Sequence, residues 1–191
     1  GIIIVPALTL LFGFDFRTAV AASAVSIIAT STGAAVAYLR DHITNTRVGM
    51  FLEVGSTLGA LTGAFIAGYL PVRFLFLLFA VLMAYSAWTM FRARKSELPG
   101  HVEPDKLSQR LQLRGSYYDQ ALGRTVTYHA TGALPGLFLM YVSGAFAGLL
   151  GVGGGLFKVP AMDMVMKLPI KVSTATSNFM IGVTAAASAT V

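Results

Sequence analysis

The chain has 191 residues, 55% of them hydrophobic and only 12% charged, with a formal net charge of +6. Globular domains carry about a quarter charged residues spread over their whole surface, whereas eleven of the 22 charges here crowd between Arg92 and Arg124. That distribution excludes a soluble domain and predicts a polytopic membrane protein whose charge is confined to loops. The basic residues flank apolar spans rather than lining a polar face, so a lipid bilayer is the expected partner and nucleic acid is not.

In chain order, the first apolar stretch, 2–12, is too short to span a bilayer as helix, which takes about 20 residues, and it contains Pro6. Stretches 18–39, 48–70 and 73–91 are long enough and predict three spanning helices. Glu53, in the second of them, stands a turn and a half from Arg47 and reads as an interfacial carboxylate, with a proton-coupling role as the alternative. Gly55, Gly59 and Gly63, like Gly144 and Gly148 later, have the spacing that lets membrane helices pack closely. Trp88, just before Arg92, suits an interfacial anchor.

Loops 40–47 and 92–131 fall on one side of the membrane because two crossings separate them. Together they hold Arg40, Arg47, Arg92, Arg94, Lys95, Lys106, Arg110, Arg114 and Arg124, so the positive-inside rule places the long loop in the cytoplasm of a cell-membrane protein. Residues 96–104 hold two prolines and a glycine and read as linker. Leu111/Leu113 and Val126/Tyr128 alternate with polar residues on either side of a turn at 119–123, the pattern of a small β-hairpin, although alternation this short also fits a disordered loop.

A fourth span follows at 134–150, slightly short, and a fifth begins near Val172. Between them, 156–168 is again short and has a proline near its start, Pro160. Broken helices of this kind persist in a membrane only where protein or a watery cavity covers their loose backbone ends.

An offset of 154 residues lays Gly1-Ile-Ile-Ile-Val-Pro-Ala-Leu8 on Gly155-Leu-Phe-Lys-Val-Pro-Ala-Met162 without gaps. The register continues, pairing Arg17 with Lys171, Ser23 with Ser177, Ile27 with Ile181 and Thr30 with Thr184. The expected fold is therefore an all-α polytopic membrane protein built from duplicated transporter repeats with short broken helices. The repeats occupy 1–91 and 133–191, and the cytoplasmic loop 92–132 joins them. They are inverted if 156–168 crosses the membrane and parallel if it is re-entrant; midplane breaks favour the inverted form. With no initiator Met and a last residue, Val191, inside an apolar run, the sequence reads as a fragment lacking both ends.

The chemistry concentrates in Gly151-Val-Gly-Gly-Gly155. Four glycines in five residues disfavour helix by roughly 1 kcal/mol each and open positive φ. Exposed amides followed by a helix start make an anion site, and Gly151, Gly153, Gly154 and Gly155 are candidate ligands. Lys158 adds a full charge at membrane depth, either to offset an anionic substrate or to snorkel to an interface. Pairing with Asp163 is disfavoured, because positions five apart diverge by about 140° on a helix. Ser177 and Asn178, with Ser23 as the counterpart of Ser177, supply hydroxyls and an amide for an anion or for bridging helices. No metal ligand set is visible: cysteine is absent and His42, His101 and His129 have no ligand spacing. No catalytic arrangement appears in the spans and no cofactor is implied, so the protein is not read as an enzyme.

The stretch Gly151-Val-Gly-Gly-Gly-Leu-Phe-Lys-Val-Pro160, followed by Pro169-Ile-Lys-Val-Ser-Thr-Ala-Thr-Ser-Asn-Phe-Met-Ile-Gly-Val-Thr184, closely resembles the second half of the TauE/SafE family of membrane transporters. Ser116-Tyr-Tyr-Asp119, with Ala121-Leu-Gly-Arg124 and Val126, resembles the cytoplasmic linker of one branch of that family. The family's glycine motif maps onto Gly151, Gly153, Gly154 and Gly155 and its proline onto Pro160. The resemblance implies a duplicated helical transporter that moves sulfite, sulfoacetate or other small organosulfur anions, generally by export. The expected function is a secondary carrier of small oxyanions working by alternating access, with a small anionic substrate and coupling to protons or sodium. A passive anion channel and a membrane scaffold with a partner-binding loop are the alternatives.

Overall fold

A computed structural model describes residues 3–92, 105–119 and 123–190. The linker read at 96–104, His101 and the centre of the hairpin turn lie outside the described residues. The elements are α1 (Ile4–Pro6), a π-helical turn (Ala7–Leu11), α2 (Phe16–Arg40), α3 (Thr46–Tyr69), α4 (Val72–Arg92), α5 (Lys106–Arg110), β1 (Arg114–Asp119), β2 (Arg124–His129), α6 (Ala133–Leu150), α7 (Gly155–Pro160), a second π-helical turn (Ala161–Val165) and α8 (Ile170–Ser188). By length and composition α2, α3 and α6 can each cross a membrane. The predicted third and fifth spans are the helices α4 and α8.

Local chemistry sets the boundaries. The Asp15 side chain accepts from Arg17 N–H and that of Asn45 from Val48 N–H, both at 3.1 Å, capping α2 and α3. Pro71 separates α3 from α4, and Gly151, at φ +63°, ends α6 in the left-handed conformation that glycine adopts without strain. After Pro6 and Pro160 the helix widens into π turns. Proline has no N–H to donate and crowds the preceding turn, and the wider pattern shows in Met166 N–H donating to the Ala161 carbonyl at 3.3 Å.

Small residues decide the packing. Gly55, Gly59 and Gly63 of α3 face α6 at backbone contact. A Cβ on Gly59 would lie 2.0 Å from the Tyr141 carbonyl oxygen and one on Gly63 2.1 Å from that of Ala145. Gly144 and Gly148 return the fit against the carbonyl oxygens of Ser56 and Ala60, at 2.0 and 2.2 Å. The packing role predicted for both glycine sets is met. Contacts rise together in number along α3, α6 and α8 (Gly55 with Leu137, Gly63 with Ala145, Asn45 with Thr176, Glu53 with Thr184), so the three run in the same direction.

α2 runs against α8. Ser31 donates to the Asn178 carbonyl, Ile27 and Ile181 both flank Gly153, and Ala24 and Ala185 line one crevice. Between α6 and α8 the chain doubles back. Ser143, midway along α6, donates to the Gly154 carbonyl at 3.1 Å, and Met166 beyond the π turn accepts from Thr131 N–H at 3.1 Å, ahead of α6. The glycine loop therefore lies at mid-depth, and 155–168 returns to the end from which α6 set out.

The same local geometry occurs twice at an offset of 154 residues. The π turns coincide, α2 and α8 begin at Phe16 and Ile170, and Gly13 and Lys167 both have positive φ, at +68° and +56°. Phe14 N–H donates to the Leu8 carbonyl at 3.0 Å and Leu168 N–H to that of Met162 at 3.1 Å.

The alternating pattern is a hairpin: β1 and β2 pair antiparallel with Tyr117 opposite Val126 and Gly115 opposite Tyr128. Leu113, Tyr117 and Tyr128 are buried in one core with Val48, Met166 and Val172, so the hairpin is docked on the starts of α3 and α8 rather than free in solvent. Asn45 Nδ2 donates to Tyr128 Oη at 3.0 Å, and Lys171 Nζ reaches Asp119 at 2.9 Å. Burial pushes the Tyr128 phenol above its ordinary value. Asn45→Ala removes the α3 cap and the hairpin tether together. Its expected cost is about 1–2 kcal/mol, read as faster amide exchange in β1 and β2; unchanged exchange there would show that the tether is idle.

Candidate functional site

The glycine loop is built from positive φ: +63° at Gly151, +74° at Gly153 and +71° at Gly154. The conformational freedom expected of this run is used at all three. Two carbonyls fix it in place. Ser23 of α2 donates to the Gly151 oxygen at 2.9 Å, and the Gly154 oxygen takes the Ser143 hydroxyl as well as the N–H groups of Phe157 and Lys158, at 3.1 and 3.0 Å. Gly155 opens α7, packed so closely on Ile181 that a Cβ would lie 2.8 Å from it. A narrow crevice bounded by Ala24, Ile27, Ala147, Gly151, Gly153 and Ala185 lies where α2, α8 and the loop meet.

Lys158 is fully buried (0% exposed) and does not reach an interface. Its stem passes Gly154, and Nζ donates to Thr184 Oγ1 and lies 3.6 Å from Glu53 Oε2. Glu53 is itself only 8% exposed. Its carboxylate accepts from Thr57 at 3.0 Å and lies within hydrogen-bond reach of Ser56 at 3.1 Å and Thr184 at 2.7 Å; Ser56 and Thr184 are also 2.7 Å apart, so their two protons serve two of these three contacts at a time. The interfacial reading of Glu53 is thus corrected. Arg47, its near neighbour in sequence, instead holds Gln112 beside the hairpin at 2.8 Å, while Glu53 turns inward toward Lys158 of α7 and Thr184 of α8. A buried charge needs an opposite charge and hydrogen bonds to be tolerated, and Lys158 and the three hydroxyls supply both.

The other expected ligands divide. Gly151, Gly153, Gly154, Gly155, Lys158 and Ser23 come together around the loop. Ser177 and Asn178 turn back on their own helix, where both donate to the Thr174 carbonyl, at 2.9 and 3.0 Å. The residues that sequence reasoning passed over are Glu53 as partner of Lys158, Ser143, Ser56 and Thr184. Thr184 carried a signal, since it occupies the repeat register opposite Thr30.

A bundle of membrane-length helices with a broken helix and a buried charged pair has the build of a transporter. Residues 1–191 match the family described as Sulfite exporter TauE/SafE, and the chain belongs to that family of membrane transporters. It is 28% identical over 188 residues to the "Probable membrane transporter protein YunE" of Bacillus subtilis (strain 168), an alignment covering 95% of this chain and 66% of that relative. The chain therefore spans just under two-thirds of the relative's length. No solved structure matches it.

Proposed function

We propose that the protein is a secondary carrier that moves small oxyanions, sulfite or organosulfonates, across the cytoplasmic membrane by alternating access. The observation that carries this reading is the Lys158 ammonium buried against the positive-φ glycine loop at mid-depth. A lysine is expensive there and defaults to function, and backbone without Cβ atoms lets an oxyanion approach closely. Gly151 and Gly153–Gly155 with Lys158 form the site, Ser23 and Ser143 set the loop, and Ser177 and Asn178 complete the cradle if they leave the Thr174 carbonyl.

The geometry recurring 154 residues apart and the antiparallel course of α2 and α8 support reading 1–91 and 133–191 as inverted repeats joined by a cytoplasmic loop at 92–132. In such carriers substrates bind near the midplane between repeats.

Sulfite exchange by the full-length protein in proteoliposomes tests the proposal. Saturable exchange is expected. The variant Lys158→Gln/Glu53→Gln removes the cation without stranding a carboxylate, and exchange should fall by about two orders of magnitude, as when a major charge-assisted contact is lost. Undiminished exchange would remove Lys158 from the site.

A further inference from the structure

We propose that Glu53 is the proton-coupling residue of this carrier: it and the transported anion take turns on the Lys158 ammonium, and Glu53 lets go by accepting a proton. The inference rests on the carrier reading above and adds the identity of the coupling ion and its residue.

The argument begins with charge counting. Among the described residues Lys158 and Glu53 are the two charges that meet inside the bundle. α6, packed along α3, carries no charged residue. The charged residue of α8 is Lys171, in its first turn and bonded to Asp119. On α3 the other charge, Arg47, is bonded to Gln112 beside the hairpin. Arg17 and Arg40 mark the ends of α2, and Asp163 and Lys167 follow α7 near the hairpin end of the return segment.

In this medium an excess charge is penalised far more heavily than in water. An anion added to the intact pair would leave the interior net negative. An anion that arrives with a proton on Glu53 leaves the sum unchanged, with Lys158 positive, the substrate negative and the carboxyl neutral. For a monovalent anion the transported unit is one proton and one anion.

The hydrogen bonds suit both states of the carboxyl. Ser56, Thr57 and Thr184 all lie within hydrogen-bond reach of the Glu53 carboxylate and donate to it when it is charged, Ser56 and Thr184 exchanging that role with their mutual bond. A hydroxyl also has lone pairs and turns freely about its C–O bond, so the same groups can accept from a protonated carboxyl without moving the backbone. Gly154 packs directly on the lysine stem, so the loop and the ammonium move as neighbours. Glu53 lies on α3 and Lys158 and Thr184 on α7 and α8, so releasing the pair frees a contact between the two sequence halves.

The test uses sulfite and the full-length protein in proteoliposomes, comparing exchange with net uptake under an imposed inward proton gradient. For the wild type, net uptake is expected to rise several-fold with the gradient. In Glu53→Gln the competitor for Lys158 is gone. Exchange should then saturate at a roughly tenfold lower KM, about 1.4 kcal/mol, while net uptake ignores the proton gradient and responds to membrane potential. Sulfite's own protonation is the same for both proteins, so the contrast isolates the carboxylate. A purely structural Glu53 would leave the gradient response in place, and that result overturns the proposal. Wild-type exchange with gradient-indifferent uptake also overturns it while sparing the carrier reading, and no exchange at all removes both. A gradient-indifferent wild type overturns the proposal even if Glu53→Gln fails to elute as a folded, monodisperse protein, and Glu53→Ala then serves as the carboxyl-free variant, with the same loss of gradient response expected and a retained response overturning the proposal.

Discussion

Gly59→Ala is expected to lose most of the folded protein, seen as a collapse of the monodisperse peak in detergent and a lower Tm for what remains. The added Cβ would sit 2.0 Å from the Tyr141 carbonyl oxygen and 2.9 Å from the Ala145 nitrogen. Both are backbone atoms, so no side chain can swing aside and α3 must separate from α6. Overpacking commonly costs 1–3 kcal/mol, and with Gly63, Gly144 and Gly148 in the same seam the expected loss is about 3 kcal/mol. Gly68→Ala is the control. It lies on the same helix with nothing within 4 Å of its Cβ, and alanine there should be neutral or stabilising by up to about 1 kcal/mol. Equal Tm values for the two variants would refute backbone contact in the seam.

Lys158→Met is the second large effect. It leaves the Glu53 carboxylate in the bundle without its counter-charge, and breaking a buried pair from one side costs about 3–5 kcal/mol. The paired change Lys158→Met/Glu53→Gln removes both charges and is expected to recover most of that stability, since an isosteric uncharged pair loses little. Thermal unfolding of the two variants in the same detergent decides it. A single variant as stable as the double would mean that the Glu53 carboxyl sheds its charge when Lys158 is gone, by taking up a proton or reaching water.

The spans were legible in the sequence because bilayer thickness fixes their length. The two glycine sets were legible because spacing by four puts them on one helix face. The hairpin showed in the alternation around Leu113 and Tyr128, and the loop conformation in the density of glycine from Gly151. What the sequence hid was long-range pairing. Glu53 and Lys158 lie far apart in the chain, and no periodicity links them. The charge nearest to Glu53 in sequence, Arg47, pointed outward to an interface. Ser177 and Asn178 were hidden for a different reason: a hydroxyl or amide in a helix can bond a carbonyl one turn back or a ligand across a gap. Composition is the same in either case.

The α3–α6 seam also has a mechanical meaning. Two rows of carbonyls rest against two rows of glycines, so sliding either helix along the other would lift oxygen atoms over backbone with no side chain to deform. α2 and α8 meet instead largely through the apolar Ala24, Ile27, Ile181 and Ala185, with the Ser31 bond to the Asn178 carbonyl as a directional contact between them. On the carrier proposal made above, the seam would serve as the axle and the gap that admits cargo would open along the α2–α8 face.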